Sequence, residues 1–545
     1  MAKPRSKPQL SLQSAHLYDD AAGLPPDHWC RLFYEEVYSA LRDEDFAEFY
    51  EEGGRAPISP ALLVGITILQ YMKRASDRAA VDKSLMRRDW RVALGRTPDY
   101  EGFDPSVLCN FRKRLVAHGA QRQIFDTIVR RVQELGLLQG HHRVRVDATE
   151  LLADVAVLSR GDMLREALRI VVCALAQARP KLLRRRPDFR RLYEQYGQEV
   201  WLGGGAESDQ KLSELARDAQ LLLRLCGPYP VQGKDTLTQI LAENFIFPEG
   251  QEPIPKPPEA LPPGHIATPH EPDAEVGKKG AKIWTGDKVH LVETVGPAGE
   301  SGYVIDLTIT SPRVPDAVLL PELMERVRFL RPQVDTILAD SGYASAANSK
   351  QAAALGLHLI SPPRLENSKG LYPASKFRFD FAREVAYCPQ GHRSVSWRVG
   401  QRLYLKFSRP RCRACPCRAA CTSSPREPRT LTLSPNYEQL WYDRERAQRP
   451  EFAKLYRQRA GIEATISELV HCCGLRRSRY RSGPKRALHA FLSNAALNVR
   501  RLLRDLAAGN SPETTIFSIF SSLQGVLRGG FRRPPVALAG LGAAA

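Results

Sequence analysis

The sequence predicts an α/β protein whose mixed sheet core carries a helical insertion and follows an all-α N-terminal domain. Three observations carry this. Residues 29–140 show helix-start signals and apolar positions at near-helical spacing. Beyond residue 141, β-branched and apolar strand segments alternate with helical ones, the pattern of a sheet with covered faces. Hydrophobic residues make up 43% of the 545-residue chain, enough to bury a core and too many for global disorder.

The N-terminal helices come first. Pro60 just after Ser59 marks a helix start, and Leu62, Leu63, Ile66, Leu69 and Tyr71 follow at helical spacing. A second helix is predicted through RAAVDKSLMRRDWRVALG, stopping at Gly95. A third, after Asp104-Pro105-Ser106, carries VLCNFRKRLVAHG. Short helices ending in a basic one resemble a helix-turn-helix unit, though periodicity alone does not separate that from a plain bundle.

The pattern then changes. VRVDAT (144–149) reads as a strand, and DKVHLVETV (287–295) with GYVIDLTIT (302–310) as a pair around the turn GPAGESG. DAVLLPELMERVRFL (316–330) reads as a helix, VDTILAD (334–340) as an apolar strand ending in an acid, SAANSKQAAALG as a helix and LHLISPP as a strand. These place an α/β domain at 141–159 and 276–505. A helical insertion occupies 160–247, and a stiff Pro-rich linker 248–275, nine prolines falling within 248–272. Residues 375–445 read as a Cys-rich insertion of short strands and loops. An extended or disordered N-terminus (1–28) and a C-terminal tail (506–545) complete the division.

Charge narrows the function classes. Lys plus Arg number 79 against 60 Asp plus Glu, a net of +19, which points to a polyanionic partner, most often nucleic acid. The surplus is local. Residues 17–52 hold eleven acids against Arg31 and Arg42, whereas residues 471–545 hold twelve bases against Asp505 and Glu513. A second basic block is RPKLLRRRPDFRR (179–191), with seven bases against Asp188. No uncharged apolar run reaches the ~18 residues of a membrane span, so no membrane association is expected. The N-terminus lacks the apolar region of a secretory signal. Eleven cysteines, an odd number with five between 388 and 421, suit a reduced cytoplasmic protein better than a secreted disulfide scaffold.

Three acids stand out by context. Asp147 ends the strand VRVD, and Asp340 ends TILAD before Ser341-Gly342-Tyr343. Glu463 lies in YRQRAGIEATISELV, read as one helix on which Tyr456, Arg459 and Glu463 share a face. Acids at sheet ends are common, so the set carries the argument. Carboxylates from two strand ends and one helix can converge, and such a cluster needs cations. Hard oxygen donors select Mg²⁺ or Mn²⁺, and two such ions suit phosphodiester chemistry. That makes the chain a candidate DNA strand-transfer enzyme or nuclease. Competing acids fit less well: Asp154 and Asp162 fall past the strand, Asp335 begins the strand that Asp340 ends, and Glu468 points off the Glu463 face.

In order along the chain, SDRAAVDKSL, PSVLCNFRKRL, VDAT, TGDKVHLVET, ADSGYAS, YRQRAGIEATISELVHCCGLRRSRYRSGPK and HAFLSNAALNVRRLL resemble bacterial insertion-sequence transposases of the DDE superfamily. The resemblance is to the insertion sequence 1182 group with an InsH-like N-terminal domain, and covers residues 30 to 505. It implies an RNase-H-like core and metal-dependent cleavage and strand transfer at the terminal inverted repeats of an insertion sequence. It also implies Asp147, Asp340 and Glu463 as the catalytic acids holding two Mg²⁺ (or Mn²⁺), the Glu through a Tyr-x2-Arg-x3-Glu pattern. Element ends and target DNA become the expected partners, in a homodimer or higher synaptic complex at the bacterial nucleoid.

Two departures bear on DNA contacts. The Lys expected soon after the Glu is replaced by Val470, so its phosphate contact is either absent or supplied by His471 or by Arg476 and Arg477. The usual aromatic of the GYKxH segment is Asp287, with Lys288 and His290 retained as candidate DNA contacts. Arg459 can hold a phosphate, orient an acid or pair with Glu463, and Tyr456 can pack or touch DNA. Arg476, Arg477, Arg479 and Arg481 follow the Glu463 helix and suit phosphates. Arg112, Lys113 and Arg114 are the N-terminal candidates for reading the repeat. Finally, Cys388-Pro-Gln-Gly-His392, Cys412-x2-Cys415, Cys417 and Cys421 suggest one structural Zn²⁺. Cys388, Cys412, Cys415 and Cys421 are the favoured ligands, against reduced thiols without metal. A decayed or domesticated transposase acting as a DNA-binding protein is the alternative, and a structure-directed nuclease a weaker one.

Overall fold

The computed structural model describes residues 21, 23–50, 58–155, 158–198, 207–280, 282–297, 299–366 and 370–509. Most of the expected N-terminal extension and tail lies outside these. The chain divides into two units, one of Met1–Gly140, Gly296–Tyr303 and Ala495–Ala545, the other of His141–Val295 and Val304–Asn494.

The first unit is helical. Helix α1 (Pro60–Met72) starts where Ser59 and Pro60 predict, with the Ser59 hydroxyl accepting from the Leu62 N–H at 3.2 Å. All of its residues are buried, so α1 is the axis of the unit. The predicted second helix is two, α2 (Asp77–Met86) and α3 (Arg88–Ala93), because Arg87 between them is extended. Then follow α4 (Ser106–Ala117) and α5 (Gln123–Glu134). In the same unit, buried Asp505 accepts from Ser301 Oγ at 2.6 Å and from the Tyr303 hydroxyl at 2.7 Å.

The second unit holds the sheet. Its core strands are β1 (Arg143–Leu152), β2 (Lys282–Val295), β3 (Val304–Thr310), β4 (Thr336–Ala339) and β5 (His358–Ile360). They lie in the order β3-β2-β1-β4-β5. β2 runs antiparallel to β1 and β3, while β4 runs parallel to β1 and β5 parallel to β4. An antiparallel meander extended by two parallel strands on the side of β1 is the RNase-H-like arrangement. A further strand, Glu275–Lys279, pairs with the start of β2.

Between β1 and β2 stand helices α6 (Arg160–Ala178), α7 (Pro180–Arg185), α8 (Pro187–Tyr196), α9 (Asp209–Cys226) and α10 (Lys234–Asn244). Leu168, Val171, Leu175, Phe189, Leu215, Leu222 and Ile240 form their own core, each fully buried side chain contributing about 2 kcal/mol. The Pro-rich stretch is less extended than its composition predicts. Phe245–Ile246 pairs with Ile254–Pro255, and Lys256 donates from its backbone to Asn244 and from Nζ to Ala242. These bonds tie it back onto α10.

After β3, α11 (Asp316–Leu330) leads to β4 and α12 (Ala346–Ala354) to β5. The Cys-rich region builds a hairpin, Arg378–Asp380 with Val385–Tyr387, and a three-stranded sheet of Ser394–Val399, Leu403–Phe407 and Thr430–Leu433. Phe377, Phe379, Leu405, Phe407 and Tyr437 are its core. Helices α13 (Tyr437–Ala447), α14 (Pro450–Tyr456), α15 (Gly461–Cys472) and α16 (Gly483–Ala507) follow. The single helix expected around Glu463 is therefore broken. A 3₁₀ turn, Arg457–Ala460, separates α14 from α15.

Candidate active site

Strand register brings the first two acids together. The parallel β1–β4 pairing ends at Val146↔Ala339. The next residue on each strand is an acid, Asp147 and Asp340, so the two carboxylates leave the sheet side by side. Asp147 lies in the middle of β1 rather than at its end, because β1 continues to Leu152 against β2. Each acid is oriented locally. Asp147 Oδ1 accepts from the Ala148 N–H at 2.8 Å, and Asp340 Oδ1 from the Gly342 N–H at 2.8 Å.

Glu463 reaches them from the first turn of α15. A buried network docks that helix. Arg145 on β1 donates to Glu293 Oε2 on β2 at 2.7 Å, and Thr465 on α15 donates to Glu293 Oε1 at 2.6 Å. Arg145 also donates to the Gln458 carbonyl at 3.1 Å. Gly461 is required here, since a Cβ at that position would collide with the Arg145 guanidinium.

Arg459, in the 3₁₀ turn, joins the two sides. Its Nη2 donates to Asp147 Oδ2 at 2.8 Å and its Nη1 to Glu463 Oε1 at 3.2 Å. The Arg459 side chain is 14% exposed and Asp147 16%, whereas Glu463 is 68% exposed. Burial pushes the Asp147 carboxyl above its usual range; Arg459 opposes this and the like charge of Asp340 adds to it. Tyr456 stacks on Phe452 at 6.0 Å and packs against Leu338, Ile360 and Phe452, so its ring is largely a packing element.

The predicted DNA contacts separate into exposed and buried groups. His290 is fully buried, its ring bonded to the Tyr343 hydroxyl at 2.8 Å and Thr310 Oγ1 at 3.1 Å. It is scaffold, with burial lowering its pKa to about 4. Arg112 is likewise buried, paired with Asp77 inside the first unit, while Lys113 and Arg114 on the same helix are exposed. Lys288 Nζ is taken by Asp316 and the Val314 carbonyl, both at 2.9 Å. Arg476 pairs with Glu150 at 2.7 Å, and Arg477 and Arg481 are exposed. The segment is fixed beside β1, since Leu152 N–H donates to the Arg476 carbonyl and Ser478 N–H to the Leu152 carbonyl, both at 2.9 Å. In the 179–191 block, Arg186 pairs with Asp188 and Arg191 with Asp218, leaving Lys181, Arg184 and Arg185 exposed.

The site thus stands on an RNase-H-like sheet with three acids around one arginine. Two family models match the chain: a transposase DDE domain over residues 387–503, which includes Glu463, and a transposase domain (DUF772) over residues 21–114. Two segments of the chain thus match transposase domains. No curated protein matches it significantly. One similar solved structure is a piggyBac transposase synaptic complex with hairpin DNA, at 12% identity over 92% of this chain and 83% of that one, with a TM-score of 0.29.

Several groups beside the acids are not apparent from sequence motifs. Asp316, at the start of α11, faces Asp340 across Gly342. A Cβ on Gly342 would come within 2.9 Å of Asp340 Oδ1 and 3.0 Å of Asp316 Oδ2. Tyr343 is buried beneath the site, its hydroxyl pushed well above the usual range by burial and by Asp316, Asp147 and Asp340. Arg364 donates to the Ser341 carbonyl at 3.1 Å and to the Gly342 carbonyl at 2.5 Å, bracing the loop after Asp340. The unusual Asp287 has a partner: Arg486, fully buried, donates to Asp287 and at 2.6 Å to Glu271.

The cysteines also gather. Cys388, Cys412, Cys415, Cys417, Cys421 and His392 line one cavity of about 30 Å³. Burial raises the Cys421 thiol; nearby Arg429 opposes this, and Cys412, Cys388 and Cys415 add to it. Cys417 instead accepts from Gln390 at 3.1 Å. Among the described residues, no three His, Cys, Asp or Glu side chains stand at a spacing that holds a metal ion. Among the described residues, no helix is long and apolar enough to cross a membrane.

Proposed function

We propose that this transposase cleaves and joins DNA at the terminal inverted repeats of an insertion sequence, with Asp147, Asp340 and Glu463 as its catalytic acids. The observation that carries the reading is the register of β1 and β4. It sets Asp147 beside Asp340, and Arg459 links Asp147 to Glu463.

By chemistry the donor set suits two Mg²⁺ or Mn²⁺ ions, though the described side chains do not stand at a metal-holding spacing. The three residues offer only hard oxygens, the two aspartates are like charges in a partly buried site, and Glu463 is open to solvent. Bound divalent ions supply activation of a water or 3′-hydroxyl and stabilisation of the leaving oxygen. The chain orients the acids. The Ala148 and Gly342 N–H groups fix one oxygen of each aspartate, and the Arg145–Glu293–Thr465 network holds the helix that presents Glu463. Arg477 and Arg481 are exposed on the segment tied to the end of β1, where DNA phosphates lie in this reading. Of the three N-terminal candidates, Lys113 and Arg114 are the exposed ones and contact the repeat in this reading. Two ends must be cut, so a dimer or higher synaptic complex follows.

Cys388, Cys412, Cys415 and Cys421 are the proposed ligands of one structural Zn²⁺. They converge from three segments on one small cavity. Metal analysis of the purified chain is expected to find about one zinc per chain; none removes this assignment.

Strand transfer on oligonucleotides carrying the element ends tests the main reading. Cleavage and joining are expected in Mg²⁺ and none in EDTA, with Asp147→Asn, Asp340→Asn and Glu463→Gln inactive while still binding DNA. Binding without cleavage under any divalent ion would instead leave a DNA-binding protein, and cutting without preference for the ends a structure-directed nuclease.

A further inference from the structure

Arg459 is the cation inside the acid cluster. Besides its bonds to Asp147 and Glu463, its positive charge is felt by Asp340 and Tyr456. The guanidinium holds Asp147 Oδ2, the oxygen that the Ala148 N–H leaves free. Its Nε is buried and has no hydrogen-bond partner. A buried arginine N–H without an acceptor is costly, and it leaves Arg459 one donor for a further oxygen.

We infer that Arg459 is an electrostatic latch: it occupies Asp147 and Glu463 when no divalent ion is present and must leave them for the acids to bind metal. This rests on the reading of the three acids as metal ligands. The physical ground is competition for the same lone pairs. Three clustered carboxylates need positive charge, and one guanidinium supplies part of it. A divalent ion supplies more, but only on oxygens that Arg459 has given up. Once released, the planar fork, including the Nε that lacks a partner, fits a phosphate oxygen pair. Metal loading and phosphate binding are thereby coupled, and the coupling is reciprocal: DNA raises metal affinity and metal raises DNA affinity. Arg459 is a positioning residue in this scheme, acting through Asp147 and Glu463.

Mn²⁺ binding to the full chain tests it, read by the electron paramagnetic resonance signal of free Mn²⁺ without any turnover. Arg459→Gln removes the competing cation while keeping a polar side chain. Expected without DNA is Mn²⁺ affinity roughly tenfold tighter than in the parent, with Arg459→Lys near the parent value. Adding a non-cleavable duplex is expected to tighten Mn²⁺ binding in the parent and to have little effect in Arg459→Gln. Equal or weaker Mn²⁺ binding by a folded Arg459→Gln chain, checked by circular dichroism, overturns the latch. Asp147→Asn separates the two levels. If it abolishes Mn²⁺ binding while Arg459→Gln changes nothing, the acids are ligands and only the latch fails. If Asp147→Asn binds Mn²⁺ like the parent, the ligand assignment fails and the latch with it.

Discussion

Glu293 on β2, fully buried, receives the Arg145 guanidinium of β1 at 2.7 Å. Its second oxygen takes the Thr465 hydroxyl, so one carboxylate joins two strands of the sheet to the helix bearing Glu463. Removing one partner strands the other. Arg145→Met leaves a buried anion, and a loss of about 3–5 kcal/mol of stability is expected in urea denaturation. Thr465→Val removes one hydrogen bond to a charged group and is expected to cost about 1.5–3 kcal/mol. Its cleavage should fall further than its stability, because the bond positions α15. Unchanged cleavage in Thr465→Val would show that the network does not position Glu463.

Arg486 and its acids form a second buried network. The Arg486 side chain and Glu271 are each 1% exposed, and Asp287 closes the other side. Arg486→Met is expected to destabilise the chain by about 3–5 kcal/mol, since two acids lose their cation. The triple variant Arg486→Met, Glu271→Leu, Asp287→Leu should recover much of that loss. A triple variant no more stable than the single one would refute the account.

Gly342 separates Asp340 from Asp316. Its backbone does not require glycine, yet a Cβ would press on both carboxylates. Gly342→Ala is expected to lower strand transfer by at least about tenfold through displaced Asp340, while thermal unfolding moves by a few degrees at most. Comparable activity in this variant would mean that the loop yields without moving the acid.

His290 sets an acid limit. Its folded pKa is lowered to about 4 from an ordinary 6.5, so between these values the unfolded chain binds a proton that the folded chain does not. Stability contributed this way is complete above pH 6.5 and is lost as pH falls toward 4, on the order of 3 kcal/mol. Buried His489, also lowered to about 4, acts in the same direction. Denaturant midpoints from pH 7 to 4 are expected to fall less steeply in His290→Gln than in the parent, and equal slopes would count against a buried neutral imidazole.

Exposed Arg477 and Arg481 carry the DNA prediction. Alanine at either should weaken binding uniformly across sequences and lower the salt dependence of affinity by about one counterion each. A sequence-specific loss would point to base contact instead.

Much of the strand and helix order was legible in the sequence. The predicted helix 316–330 matches α11, and the apolar strand before Asp340 matches β4, because apolar runs bounded by turn residues have few other ways to be buried. Boundaries set by side-chain approach were not legible. The helix read through Glu463 breaks at a 3₁₀ turn, where Arg145, over 300 residues away, donates to the Gln458 carbonyl and lies against Gly461. The basic residues show the same divide. The family resemblance and the position of the basic segments make Arg112, His290 and Arg477 alike candidates for DNA, but of the three only Arg477 is at the surface.

The sequence by itself determined the fold class, the acids that strand ends and a helix present, and the positive charge after α15, since these follow from local pattern and composition. Tertiary structure decided which groups face one another. The β1–β4 register sets Asp147 beside Asp340, Arg459 stands between Asp147 and Glu463, and Asp287 finds Arg486. Asp147 meets Asp340 and Arg459, and Asp287 meets Arg486, across more than a hundred positions each, and only the folded chain, by burying these groups together, makes their charges interact strongly.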